Sequence, residues 1–166
     1  MPNWCENSVI LKHNDPKKIA ELKDHLLLHK DGKGEYFFNF LRPRPESEGD
    51  NWYNWNVNNW GTKWDADPQV FDIDENNISL DFSTAWSPPI YLYDYLTEQG
   101  WDVEALYSEP GMCFCGSYTS SNPGDECYNY DLEDPSSYED IPDEVFRYAG
   151  IDIMLEEFNE SNKEAE

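Results

Sequence analysis

The sequence predicts an α+β fold: an antiparallel sheet backed by helices on one face. Three observations predict it. Residues 70–84 hold two alternating apolar runs around a compact turn, two helical runs open on a capping residue followed by proline, and a further pair of strand-like runs flanks Glu109-Pro110-Gly111. A length of 166 residues suits one core, and 7 Trp, 11 Tyr and 8 Phe supply large rings for it although apolar residues are only 39%.

Taken in order, residues 8–13 form a short β-rich run. Asn14-Asp15-Pro16 then places a cap before a proline at the first helical position, so a helix begins there. Ile19, Leu22 and Leu26 form its apolar face, and Asp31-Gly32 ends it. Residues 36–41 read as a short strand or ordered aromatic segment, broken by Pro43 and Pro45. A long connection, roughly 42–67, is dense in Asn and Trp, and its own tryptophans are expected to order it.

Residues 70–74 and 78–84 flank Glu75-Asn76-Asn77 as a hairpin, with Phe71, Ile73, Ile78, Leu80 and Phe82 toward the core. Ser87-Pro88-Pro89 repeats the cap-then-proline start. Residues 90–99 follow as a helix bearing Tyr and Leu, and Gly100 stops it. Residues 101–107 and 112–119 are strands about the Glu109-Pro110-Gly111 turn. Residues 125–138 are acidic with scattered Tyr, and residues 142–158 predict a last helix carrying Val145, Phe146, Ile153, Leu155 and Phe158, with 159–166 fraying. Strand, helix, strand, strand, helix, strand, with one strand more, is the order of the split βαβ unit and defines a ferredoxin-like α+β fold. Residues 1–120 form that domain, and 121–166 an acidic C-terminal extension packed on it or tethered to it.

Charge is distributed unevenly. The net charge is −24, from 11 Lys and Arg against 35 Asp and Glu, yet residues 1–63 hold nine of each sign. From Trp64 through Phe146 there are 20 acids and not one Lys or Arg. Such a balance opposes phosphate backbones and anionic lipid, so direct nucleic-acid binding and membrane-surface binding are excluded from the expected functions. The acids alternate with Trp, Tyr, Phe, Leu and Ile in structural periods, which predicts display on a folded surface rather than a disordered tail. No run approaches the roughly 18 apolar residues of a membrane span, and Met1-Pro2-Asn3-Trp4 lacks the basic and apolar regions of a signal peptide. The expected location is the cytoplasm of a host cell, with Cys5, Cys113, Cys115 and Cys127 as free thiols.

Four motifs carry a family resemblance: Met1-Pro2-Asn3-Trp4-Cys5-Glu6-Asn7, Asn59-Trp60-Gly61-Thr62-Lys63-Trp64-Asp65, Thr84-Ala85-Trp86-Ser87-Pro88-Pro89 and Glu109-Pro110-Gly111-Met112. Together they resemble the YubB-like group of plasmid and phage proteins. The resemblance covers roughly residues 1–120, implies a ferredoxin-like domain of mobile-element origin, and carries no catalytic residue over.

Two surfaces are candidate sites. Asp131, Glu133, Asp134, Glu139 and Asp140 lie in the acidic extension as partner-binding residues. The cluster Asn51-Trp52, Asn54-Trp55, Asn59-Trp60 and Lys63-Trp64 combines ring faces with amides, which suits a ligand platform whose binding residues are Asn59, Trp60, Lys63, Trp64, Asp65 and Trp86, with Thr62, Lys63 and Asp65 as its polar centre. The structural counter-reading is that these rings roof a small core and the amides satisfy loop backbone. His25 and His29 have a metal-compatible spacing but no third ligand, and read as partly exposed helix residues. Cys113-Phe114-Cys115 puts both thiols on one strand face and reads as buried free cysteines, so no metal or cofactor is expected.

Carboxylates are too abundant for any acid–base pair to be singled out, Glu109 being the least arbitrary, and no P-loop, dinucleotide glycine pattern or nucleophile elbow occurs. A non-enzymatic accessory protein encoded by a phage or plasmid is the expected function. It binds and inhibits a host protein, in the best-fitting case a nucleic-acid-binding one, through an acidic surface that mimics DNA. A small-molecule or nucleotide-binding domain using the Asn- and Trp-rich loop is the alternative.

Overall fold

The computed structural model describes residues 3–30, 36–121 and 124–164. Six strands form one antiparallel sheet: β1 Trp4–Lys12, β2 Gln69–Ile73, β3 Asn77–Ala85, β4 Asp102–Glu109, β5 Phe114–Thr119 and β6 Asp125–Asn129, in the spatial order β2-β3-β1-β4-β5-β6. The helices are α1 Pro16–Lys30, α2 Phe37–Leu41, α3 Trp52–Asn59, α4 Ile90–Glu98, α5 Asp143–Tyr148 and α6 Ile151–Glu164. Between β1 and its parallel mate β2 lies β3, and between β3 and β4 lies β1, so two interleaved βαβ crossovers make the ferredoxin-like half.

Period-two alternation assigns the two faces of the sheet. Val9, Leu11, Ile78, Leu80, Phe82, Val103 and Ala105 point to one side, where Ile19, Leu22 and Leu26 of α1, Phe37 and Phe38 of α2, and Leu92, Tyr93 and Leu96 of α4 bury them. Opposite them, Leu106 and Cys115 face a second cluster built by Tyr130, Ile141, Val145 and Ile151. The acidic extension therefore supplies both an edge strand and a helical layer on the otherwise open face.

The first helix, both hairpins and α4 lie where the patterning puts them. Several elements differ, each for a tertiary reason. The first strand begins at Trp4, well before residue 8, because the polar Asn7 is accommodated in the core. Its Nδ2 donates to the Cys5 carbonyl at 2.9 Å and to Thr84 Oγ1 at 3.0 Å, and Tyr93 Oη donates to its Oδ1 at 3.3 Å. The aromatic segment 37–41 is helical, not extended. Asp65, far along the chain, accepts the Phe38 and Asn39 amides at 2.6 and 2.9 Å and satisfies the first turn of α2.

The long connection is ordered, as expected, but contains a 3₁₀ turn at Glu46–Glu48 and all of α3. Ser87 does not cap α4; its hydroxyl donates instead to the Gly61 carbonyl at 2.7 Å. The last helix is two helices, because Gly150 adopts φ +68° and redirects the chain after α5. Ile153 consequently lies 59% exposed rather than on an apolar face, and α6 continues through Glu164 where fraying was expected from residue 159. The end of α1 at Asp31-Gly32 and the side chains of Phe71 and His29 lie outside the described residues. No described helix is long and apolar enough to cross a membrane.

Candidate functional site

The tryptophan-bearing connection folds into a cleft of about 720 Å³. α2, the 3₁₀ turn, the start of α3 and residues 64–67 wall it, presenting Tyr36, Trp52 and Trp64 beside Arg44, Asn39 and Asn56. Arg44 is fixed at both ends: its amide donates to Asn39 Oδ1 at 2.9 Å, and its Nη1 donates to Oδ1 of the buried Asn56 at 2.9 Å. Asn56 is itself held, donating from Nδ2 to the Lys63 carbonyl at 2.9 Å.

The six residues expected to make a ligand platform separate into four environments. Trp64 and Asp65 line the cleft, Asp65 with its carboxylate accepting the Phe38, Asn39 and Ala66 amides. Trp60 is core at 2% exposure, meeting only the floor of the cleft; its Nε1 donates to the Arg42 carbonyl at 3.1 Å, and its ring packs edge-on against Phe38 and Trp55. Asn59 donates to the Trp55 carbonyl at 2.9 Å, a helix-end bond that leaves it outside the cleft. Thr62, buried, donates to the Ala85 carbonyl at 2.9 Å.

Lys63 and Trp86 lie outside the cleft and meet it through Trp64. The Lys63 ammonium lies 4.5 Å from the Trp64 ring centre, 5.1 Å from Trp86 and 5.8 Å from Tyr53, a cation held by ring faces. Trp86 reaches it from a left-handed backbone, φ +68°, pinned by its amide donating to the Asn3 carbonyl at 2.9 Å. Trp64 and Trp86 remain 38% and 46% exposed, and Trp4 stands 6.1 Å from Trp64, so this end of the sheet carries a half-exposed aromatic surface.

All five acidic candidates are exposed, but they do two different jobs. Asp131 Oδ1 accepts the Glu133 amide at 3.0 Å, and Asp134 Oδ1 accepts both the amide and hydroxyl of Ser136 at 3.0 and 2.7 Å, so these two shape the turn into the 3₁₀ segment Pro135–Ser137. Glu133, Glu139 and Asp140 have no such local bond and project from it. Leu132 and Tyr138 of this segment pack against Tyr130 and Ile141 of the second core, which anchors the backbone that bears the carboxylates.

Other residues read from the sequence fall as follows. Glu109 is buried and Oε1 accepts the Gly111 amide at 2.8 Å, closing the β4–β5 turn. Cys113 precedes β5 in that turn at φ +54° and is only partly buried, whereas Cys115 on the strand is fully buried; both pack in the second core. Burial pushes the Cys115 thiol up to about 11. His25 is buried, not part-exposed, with its ring stacked 3.9 Å from Phe40. Among the described residues no group of three or more His, Cys, Asp or Glu side chains is placed to hold a metal. Trp52, read from the sequence as part of the Asn and Trp cluster, does line the cleft, whereas Arg44, Asn56 and Tyr36 were not singled out; the basic residues framed by proline in Arg42-Pro43-Arg44-Pro45 were the available signal.

An antiparallel sheet of order β2-β3-β1-β4 with α1 and α4 across one face defines a ferredoxin-like α+β protein. Residues 59–152, more than half of the chain, match the family described as the ferredoxin-like domain in Api92-like protein, and the chain belongs to that family. The match carries the ferredoxin-like part of the sequence resemblance but not its YubB-like label, and it runs past residue 120 through β6 and α5. No curated protein matches the chain, and neither does any solved structure.

Proposed function

We propose that this is a non-enzymatic binding protein whose acidic C-terminal layer docks on the basic surface of a nucleic-acid-binding protein. The observation that carries the reading is the union of charge and packing. A stretch of 20 acids without a single Lys or Arg is borne on strands, turns and helices whose apolar sides are buried, so the carboxylates hold fixed spacing. A fixed array of negative charge complements a groove that evolved for phosphates, and it raises the association rate of a basic partner. The YubB-like motifs supply the context: a phage- or plasmid-encoded accessory protein that occupies a host protein and inhibits it.

The test is capture from host lysate on the immobilised protein at low and high salt, with duplex DNA as competitor. The expected result is retention of DNA-binding proteins that salt and DNA both displace, reduced by E133Q/E139Q/D140N, a variant that spares the turn-forming Asp131 and Asp134. Retention that DNA does not displace, or that the triple variant leaves unchanged, would overturn the reading.

A further inference from the structure

Among the described residues of this strongly acidic chain there are two ion pairs, Lys12–Glu104 and Lys18–Glu21, and Arg44 is in neither. Its guanidinium is held by the carbonyl of a buried amide, Asn56, instead of by a carboxylate. An arginine has five N–H donors in a rigid fork, and among the described residues only Nη1 has an acceptor. The fork opens on a cleft whose volume, about 720 Å³, falls within the range of about 300–1,000 Å³ typical of small-molecule sites.

We propose that this cleft binds a planar aromatic ring carrying one anionic group, carboxylate or phosphate, with Arg44 pairing the anion and Trp52 and Trp64 offering faces to the ring. Arg44 is preorganised at both its backbone and its side chain, so little ordering cost is left for the ligand to meet. Trp52 and Trp64 are partly exposed in the cleft, while Trp60 forms a rigid floor. The other charged groups lining it are Glu46, Asp65 and Asp67. Asp65 accepts three backbone amides, which disperses its charge into the scaffold, and the Glu46 carboxylate opposes a highly charged ligand. Nine of the thirteen lining residues come from the part of the chain where acids and bases balance, and none comes from the acidic C-terminal layer.

Calorimetry on the full chain with adenosine monophosphate, indole carboxylate, neutral adenosine and tetramethylammonium tests the proposal. Saturable binding of at least one of the two anions is expected, and which of them binds distinguishes phosphate from carboxylate. Neutral adenosine should bind about tenfold more weakly than adenosine monophosphate if phosphate is the anion, and R44Q should weaken the bound anion by about tenfold or more. W52A, at a half-exposed wall, should weaken it as well, with unchanged far-UV dichroism showing both variants folded. The proposal fails if neither anion binds, if R44Q binds as well as the parent, or if tetramethylammonium is the ligand taken up. E133Q/E139Q/D140N should leave this binding untouched, so failure here and failure of the docking reading are separate results.

Discussion

The Tyr107 hydroxyl on β4 crosses β5 above Gly116 and donates to the carboxylate of Asp125 on β6. Gly116 has no side chain because that space is taken: a Cβ there would collide with the Tyr107 ring and hydroxyl and with the Glu126 carbonyl. The contact ties the acidic edge strand to the ferredoxin-like sheet. β6 is otherwise a short strand of mostly exposed side chains, and its Asp and Glu also discourage pairing with another chain.

G116A should therefore destabilise the protein by about 1–3 kcal/mol or more, since neither a ring nor a backbone carbonyl can yield without shifting a strand. Urea unfolding measures it. An unchanged midpoint would mean that β6 is not clamped in this way.

Asp125 sets a pH dependence whose sign follows from its surroundings. Burial raises its pKa above the ordinary 3.8, the Tyr107 hydrogen bond opposes that rise, and the charge of Asp94 adds to it. The folded state then binds this proton more readily than the unfolded state. Stability falls as pH climbs from the unfolded value to the raised folded one, and stays lower above it. D125N keeps an oxygen acceptor for Tyr107 and cannot ionise. It should equal or exceed the parent at neutral pH and show a flatter stability profile as pH rises above the ordinary carboxylate value. A D125N protein that melts earlier at neutral pH with an unaltered profile would refute this.

How far the sequence could be read depended on whether the cause of an element was local. The alternation of Ile78, Leu80 and Phe82, and the Asn14-Asp15-Pro16 start, need only neighbours along the chain, and both landed correctly. The helix at 37–41 needs Asp65, and the early start of β1 needs Thr84 and Tyr93; neither partner is visible from the segment itself. The strand β6 was hidden because its acids look like a solvated loop until β5 is placed beside it. For the cleft, Trp64 and Asp65 were legible as rare residues in a motif, but Arg44 acquires meaning only when α3 brings Asn56 against it.

Asp131 and Asp134 should respond to substitution by geometry more than by charge. D131A and D134A remove the acceptors that hold the Glu133 and Ser136 amides and should each cost about 0.5–2 kcal/mol, whereas D131N and D134N keep an acceptor and should cost less. E133Q, E139Q and D140N should be neutral or slightly stabilising, because they remove like charges that have no local bond. Thermal melts of the seven single variants decide the matter, and equal effects of Ala and Asn at 131 and 134 would show that these carboxylates do not build the turn.

Trp86 combines a cost with a contact, and the two can be separated. Its φ of +68° is a conformation that a side chain bearing Cβ adopts only at a penalty of about 1–2 kcal/mol, and the segment is held there by its amide bond to Asn3 and by the Ser87 hydroxyl on Gly61. W86A removes the ring near Lys63 but keeps the penalty; W86G removes both. W86G should therefore be the more stable of the two by about 1 kcal/mol, the reverse of the usual order in which glycine loses more chain entropy than alanine. If denaturation instead finds W86A the more stable, the left-handed turn is not what positions the ring, and the Lys63 cluster must be held by its side chains alone.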